Sequence, residues 1–173
     1  THELKHRGED AHNTDDECIM VSKKTGEIVE YENRKKDPYD WIYPTDKLAE
    51  LKELSKLKNV FLLGSIDNFD EVRPLIDQYV WMDIPLDELL KRLDQRHDDY
   101  GNSDSERTSI INLHKEMEEM GHPNAFKLDA TKSIEHIADE LLACALICAE
   151  VRNLFDESVL SAQPVTNTGE VNQ

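Results

Sequence analysis

Glycine is scarce in this sequence: six among 173 residues, no two adjacent. No glycine-rich loop of the kind that wraps a phosphate in backbone N–H groups can be built from so few. Cationic side chains are also in short supply, with 20 Lys and Arg against 37 Asp and Glu and a formal net charge of −17. Nucleic-acid affinity rests on basic contacts, and membrane-surface binding rests on basic segments facing anionic lipid, so both roles are disfavoured. No apolar run approaches the ~20 residues of a spanning helix, and no signal-peptide core stands near Thr1. Three cysteines, an odd number without framework spacing, suit a reducing compartment. These absences leave a soluble, cytoplasmic protein as the expectation. Its length fits one domain able to bury a core.

What is present centres on 78–96, QYVWMDIPLDELLKRLDQR. The run Tyr79 to Ile84 is aromatic and branched, as a strand requires. Pro85 has no N–H and ends any ladder. Leu86, Leu89, Leu90 and Leu93 then recur at helical spacing, with Asp87 and Glu88 at the start and arginines toward the end. Strand, proline and helix in succession form the repeating step of an α/β sheet. Arg92 and Arg96 lie four apart and share a helix face, either as a solvated surface or as part of an anion site.

The rest of the chain alternates in the same way. A helix is expected over Thr1 to Arg7 with Gly8 as its C-cap, then a short strand over Glu9 to Asn13 ending in the cluster Thr14 to Glu17. Glu27 to Tyr31 alternates polar with apolar, as an exposed strand would, and Asn33 to Asp40 reads as a charged loop. A helix follows from Asp46 to Leu57 with Thr45 as N-cap. Asn59 to Gly64 is the continuous apolar run of a central parallel strand. Residues 97–105 form a polar excursion, Glu106 to Met120 a helix, Ala125 to Leu128 a last strand, and Ile134 to Phe155 a closing helix. A tail from Ser158 lacks periodicity. The expected fold is α/β, a mostly parallel sheet with helices on both faces.

Ligands of such sheets collect at the C-terminal strand ends. There the sequence places Asp15 and Asp16, the loop Gly64 to Asn68, the arginine helix, and Asp129 to Ser133. Carboxylates can hold Mg²⁺, arginines clamp phosphoryl oxygens, and helix N-termini favour anions. In combination they describe phosphoryl transfer, which is mainly positioning and charge neutralisation. Taken singly each is weak, and Asp15 with Asp16 is more often a solvated turn.

On these residues the chain resembles the P-loop small-molecule kinases of the adenylate-kinase and shikimate-kinase type, and bacterial proteins described as AAA-family ATPases or nucleoside-kinase-like. The matching features are G-x-x-x-x-x-T-D-D (Gly8 to Asp16), Thr25-Gly26, W-I-Y-P-x-D-K-L (Trp41 to Leu48) and V-F-L-L-G-S-I-D-N (Val60 to Asn68). Further on come I-P-L-D-E-L-L-K-R-L-D-Q-R (Ile84 to Arg96), Y-G-N-S-D-S-E-R (Tyr100 to Arg107) and L-D-A-T-K-S (Leu128 to Ser133). The resemblance covers Thr1 to Leu142. It implies a kinase-like domain over 1–157 with a lid at about 97–109, binding ATP and Mg²⁺ and transferring the γ-phosphoryl to a small hydroxyl or phosphate acceptor.

By that resemblance Asp15 and Asp16 sit beside Mg²⁺ or the acceptor, and Gly64, Asp67 and Asn68 line the acceptor pocket. Arg92 and Arg96 reach the phosphates, Arg107 is a further lid candidate, and Asp129, Thr131 and Lys132 lie near the adenine. A lysine commonly follows the lid glycine in the family, whereas Asn102 stands there in this chain.

The largest departure is that nothing reads G-x-x-x-x-G-K-[ST], whose N–H groups and lysine hold the β- and γ-phosphates. THELKHRG also reads like the middle of a helix, so a chain shortened ahead of Thr1, without its first strand and phosphate loop, is expected. A natural relic without them is the other reading. The competing functions are a non-catalytic interaction protein retaining the kinase fold, with the helix 143–155 as its contact, and a nucleotide hydrolase. Seven scattered histidines show no metal-binding spacing. Cys144 and Cys148 suit packing, and Cys18 has no evident base to make it a nucleophile.

Overall fold

A computed structural model describes residues 1–34, 38–96, 101–121 and 125–161, with the backbone alone for 152–161. The fold is α/β. Helix α1 (His2–His6) leads into β1 (Asp10–Asn13), the one-turn helix α2 (Thr14–Glu17) and β2 (Ile19–Ser22). Strand β3 (Tyr39–Ile42) precedes α3 (Thr45–Leu54), β4 (Val60–Leu63), α4 (Phe69–Val72) and β5 (Val80–Asp83). Helices α5 (Leu86–Gln95) and α6 (Asp104–Met120), strand β6 (Phe126–Asp129) and α7 (Ile134–Ser161) complete it.

The strands form three pairs. β1 runs parallel to β4, with Asp10 opposite Val60 and Asn13 opposite Leu63. β5 runs parallel to β6, with Val80 opposite Phe126 and Asp83 opposite Asp129. β2 and β3 make an antiparallel pair, Ile19 opposite Ile42.

Strand β4 has a covered surface on each side, because its successive side chains point opposite ways. Phe61 and Leu63 pack with Leu4, Ala11, Ala138, Leu141 and Leu142, which brings α1 and α7 onto one face. Leu62 packs with Tyr43, Leu48, Val72 and Ile76, which brings α3 and α4 onto the other. Two-sided covering is why its sequence is a continuous apolar run and does not alternate. Helix α7 also packs on β6, so one helix touches both parallel pairs. Arg7 of α1 fastens to α7 through the Asp139 carboxylate and the Glu135 carbonyl at 3.0 Å.

Several boundaries differ from the sequence expectation. Glu27 to Tyr31 is not a strand: only an isolated bridge joins Val21 to Ile28, and Tyr31–Asn33 is a 3-10 turn. Alternation without a continuous partner edge is insufficient to make a strand. The expected loop over Asn33 to Asp40 instead contributes Tyr39 and Asp40 to β3, while 35–37 lie outside the described residues. Pro44, with extended backbone, is the N-cap of α3, and Thr45 is already helical. Arg7 is the C-cap of α1, and Gly8 follows it at φ 87°. Helix α6 starts earlier than expected because Ser103 and Glu106 form a reciprocal capping box. Helix α7 continues through Ser161, past the expected boundary at Ser158. Among the described residues, no helix is long and apolar enough to cross a membrane.

Candidate functional site at the strand ends

The C-terminal ends of β1 and β4 are locked together by Thr14 and Gly64. Thr14 is buried, and its hydroxyl donates to the Ser65 carbonyl at 3.3 Å. Gly64 sits at φ +136°, and a Cβ there would collide with the Thr14 Oγ1. Glycine is therefore required both by conformation and by space. The lock brings the β1 exit, with Asp15 and Asp16 on α2, beside the loop after β4. Both aspartates are in the first turn of α2, and Asn13 caps it by accepting from the Asp15 N–H at 3.4 Å.

Asp67 and Asn68 are committed to neighbouring backbone. The Asp67 carboxylate accepts from the Trp41 N–H at 2.6 Å, and the Asp67 N–H donates to the Trp41 carbonyl at 2.8 Å. The buried Asn68 amide accepts from the Tyr43 N–H at 3.0 Å and donates to the Tyr43 carbonyl at 3.1 Å. What these two residues give the loop is its shape and the docking of β3 against it.

Residues that sequence reasoning passed over lie beside them. The Glu17 carboxylate accepts from the Tyr43 hydroxyl at 2.6 Å and from His12 Nδ1 at 2.8 Å. His12 Nε2 faces Asp10 at 3.1 Å, so both ring nitrogens meet carboxylates. Burial alone would raise the Glu17 carboxyl. The hydrogen bonds from Tyr43 and His12 outweigh it and hold the group below the ordinary glutamate value. Burial, then Asp15 and Glu17, push the Cys18 thiol up to about 12, which removes it as a nucleophile. The only sequence signal for this network was a histidine in a strand beside an acidic cluster.

A second group of expected site residues gathers at the β5 and β6 exits. Arg92 reaches across from α5, donating through Nη2 to the Ala130 carbonyl at 2.7 Å and through Nε to Glu88 at 3.0 Å. The Asp129 carboxylate accepts from the Thr131 hydroxyl at 2.6 Å and the Thr131 N–H at 2.9 Å, which lowers its pKa. Lys132 pairs with Glu140 at 3.0 Å. Arg96 is the C-cap of α5. Arg107 spends its guanidinium on the Gly101 and Leu93 carbonyls and on Asp94, fastening the start of α6 to the end of α5. Of the expected lid, 97–100 lie outside the described residues.

The structure thus brings Arg92 together with the 129–131 turn, and Asp15 and Asp16 together with the Gly64 loop. Among the described residues, no hydrogen bond or ion pair links Asp15 or Asp16 to Arg92, Arg107 or Asp129. Nor do three His, Cys, Asp or Glu side chains converge into a metal-holding group there. No family model, curated protein or solved structure matches the chain.

Proposed function

We propose that this chain is an ATP-binding small-molecule kinase-like protein of the P-loop type, transferring the γ-phosphoryl of ATP to a small hydroxyl or phosphate acceptor. The observation that carries the reading is the reach of Arg92 from α5 to Ala130. It sets a guanidinium beside the turn into α7, where the resemblance expects phosphate and adenine contacts. No G-x-x-x-x-G-K-[ST] stands in the sequence, so the backbone cradle for the β- and γ-phosphates is not among these residues. Asp15 and Asp16 fit Mg²⁺ in the way that ion usually binds, with one or two carboxylates and the rest of its shell from phosphate oxygens and water. When bound, the ion would neutralise charge developing on the transferred phosphoryl group. The chain's part is to hold the carboxylates at the β1 exit through the Thr14–Gly64 lock, and to hold Arg92 over the β6 exit.

A second reading has its own support. Leu146 and Ile147 on α7 are 62% and 60% exposed, as a protein-contact helix would leave them, which favours a non-catalytic interaction protein. Titration calorimetry of ATP·Mg²⁺ on the native protein of established intact mass separates the two. The kinase reading expects binding that weakens about tenfold or more in Arg92→Ala and Arg96→Ala, with unchanged circular dichroism. Absence of binding by the native protein, or unchanged affinity in both variants, would sink it.

A further inference from the structure

His114 ties the middle of α6 to the residue that follows β5. The ladder of α5 begins at the Pro85 carbonyl, which accepts from the Leu89 N–H at 2.9 Å. The Ile84 carbonyl, one residue earlier, lies outside that ladder, and His114 Nε2 meets it at 2.8 Å. A carbonyl only accepts, so Nε2 carries the hydrogen and the neutral ring keeps its lone pair on Nδ1. The His114 side chain is 9% exposed. Its Nδ1 is shielded from water and has no hydrogen-bond partner, one of two such side-chain atoms among the described residues. An acceptor buried without a partner is costly, and a native fold that keeps one has a use for it.

What Nδ1 faces is the Glu118 carboxylate one helical turn on, with Oε2 at 3.7 Å. That distance is too long for a hydrogen bond. It is also too short for a bridging water, whose two legs of about 2.8 Å would meet at about 80°. Zinc legs of about 2.0–2.2 Å span it at about 125°, and a shift of about 0.3 Å brings the angle to tetrahedral. Glu118 is 58% exposed, so it has room for that shift and gives an ion its way in. Histidines that bind metal almost always donate their other ring N–H to a carbonyl or carboxylate, which fixes the tautomer and aims the ring. The Ile84 carbonyl supplies that support to His114.

The geometry points to a site on α6 in which His114 Nδ1 and the Glu118 carboxylate hold a borderline divalent cation of the Zn²⁺ class. An imidazole nitrogen beside one carboxylate suits zinc ahead of Mg²⁺ or Ca²⁺, which take oxygen ligands. Among the described residues no third His, Cys, Asp or Glu side chain joins the pair, so water completes the shell. Spacing alone does not single the site out, since His2 and His6 also lie four apart on a helix. Burial, the Ile84 carbonyl and the unpartnered Nδ1 do. Bound there, the ion would polarise the ring, strengthen the Nε2–H bond to Ile84 and tie α6 more firmly to the end of β5. The inference is independent of the kinase reading, because it uses none of the residues assigned to phosphate or Mg²⁺.

The test is a Zn²⁺ titration of this chain at neutral pH, followed by calorimetry and by long-range proton–nitrogen NMR of the imidazoles, with Mg²⁺ as the control ion. The expected result is movement of the His114 Nδ1 resonance away from its lone-pair position while Nε2 keeps its hydrogen. Glu118→Gln, a substitution at an exposed side chain, should weaken Zn²⁺ at that ring by about tenfold or more with unchanged circular dichroism. His114→Gln should remove the site. Zn²⁺ shifts confined to His2, His6 or other rings, with His114 unmoved, would overturn the proposal. Equal affinity at His114 in Glu118→Gln and the parent would overturn the paired site, leaving the carboxylate no part in it. An equal response to Mg²⁺ would overturn the class of ion.

Discussion

Asn68→Ala should be among the most destabilising single substitutions in the chain. Asn68 acts as a peptide-like clip, with one amide satisfying both the N–H and the carbonyl of Tyr43. Tyr43 is 0% exposed, so water cannot replace either bond. Leaving a buried donor or acceptor unsatisfied costs about 1–3 kcal/mol each, and two orphans place the expected loss near 3 kcal/mol. A domain of this class has about 5–15 kcal/mol in total. With a urea slope of about 2 kcal/mol/M, the midpoint should fall by about 1.5 M in a denaturation followed by circular dichroism. Asn68→Asp sharpens the test. The carboxylate keeps the bond from the Tyr43 N–H but points an oxygen at the Tyr43 carbonyl and stands beside Glu71. Its folded-state pKa is then raised above the unfolded one, so stability present at low pH is lost as pH rises through the folded value. Asn68→Asp should therefore fall below Asn68→Ala at pH 7 and recover on acidification. A loss under about 1 kcal/mol for Asn68→Ala would refute the clip.

Three further outcomes follow from the same geometry. Gly64→Ala sets a Cβ against Thr14 at φ +136° and should cost about 2 kcal/mol or more, read as a melting temperature lowered by about 4–8 °C. Glu17→Gln should be less stable than the parent at pH 7 by about 1–2 kcal/mol. The lowered Glu17 pKa contributes stability above the unfolded value that is lost as pH falls through the folded one, so urea melts of the two proteins should converge as the pH is taken below the ordinary glutamate range. Cys18, pushed from 9.0 to about 12, should react with iodoacetamide at pH 8 about a thousandfold slower than an ordinary thiol; complete alkylation within minutes, read by mass spectrometry, would count against its burial.

Much of the fold was legible because local signals and tertiary packing agree. Leu86, Leu89, Leu90 and Leu93 announce α5, and the apolar runs announce β4 and β5 within a residue or two. Where a segment's structure depends on a distant partner, the sequence was silent. Tyr39 and Asp40 become strand only because β2 is opposite them, and α2 is helical over four polar residues held by the Asn13 cap and the buried Thr14. The site was legible as positions and much less so as roles. Asp67 and Asn68 fall at the strand end as expected, yet their side chains are committed to the peptides of Trp41 and Tyr43. No spacing rule links residues 25 or 26 apart. Arg107 similarly looks like a ligand group in sequence and in the fold is a three-point fastener between two helices.

Among the described residues, helix α7 works as a splint between two strand pairs that share no ladder with each other. The aspartates at the β1 exit ride on one pair and Arg92 rides over the other. Their separation is therefore set by how α7 seats against each pair, so a bend or slide of that one helix would change the reach between carboxylate and guanidinium without touching either.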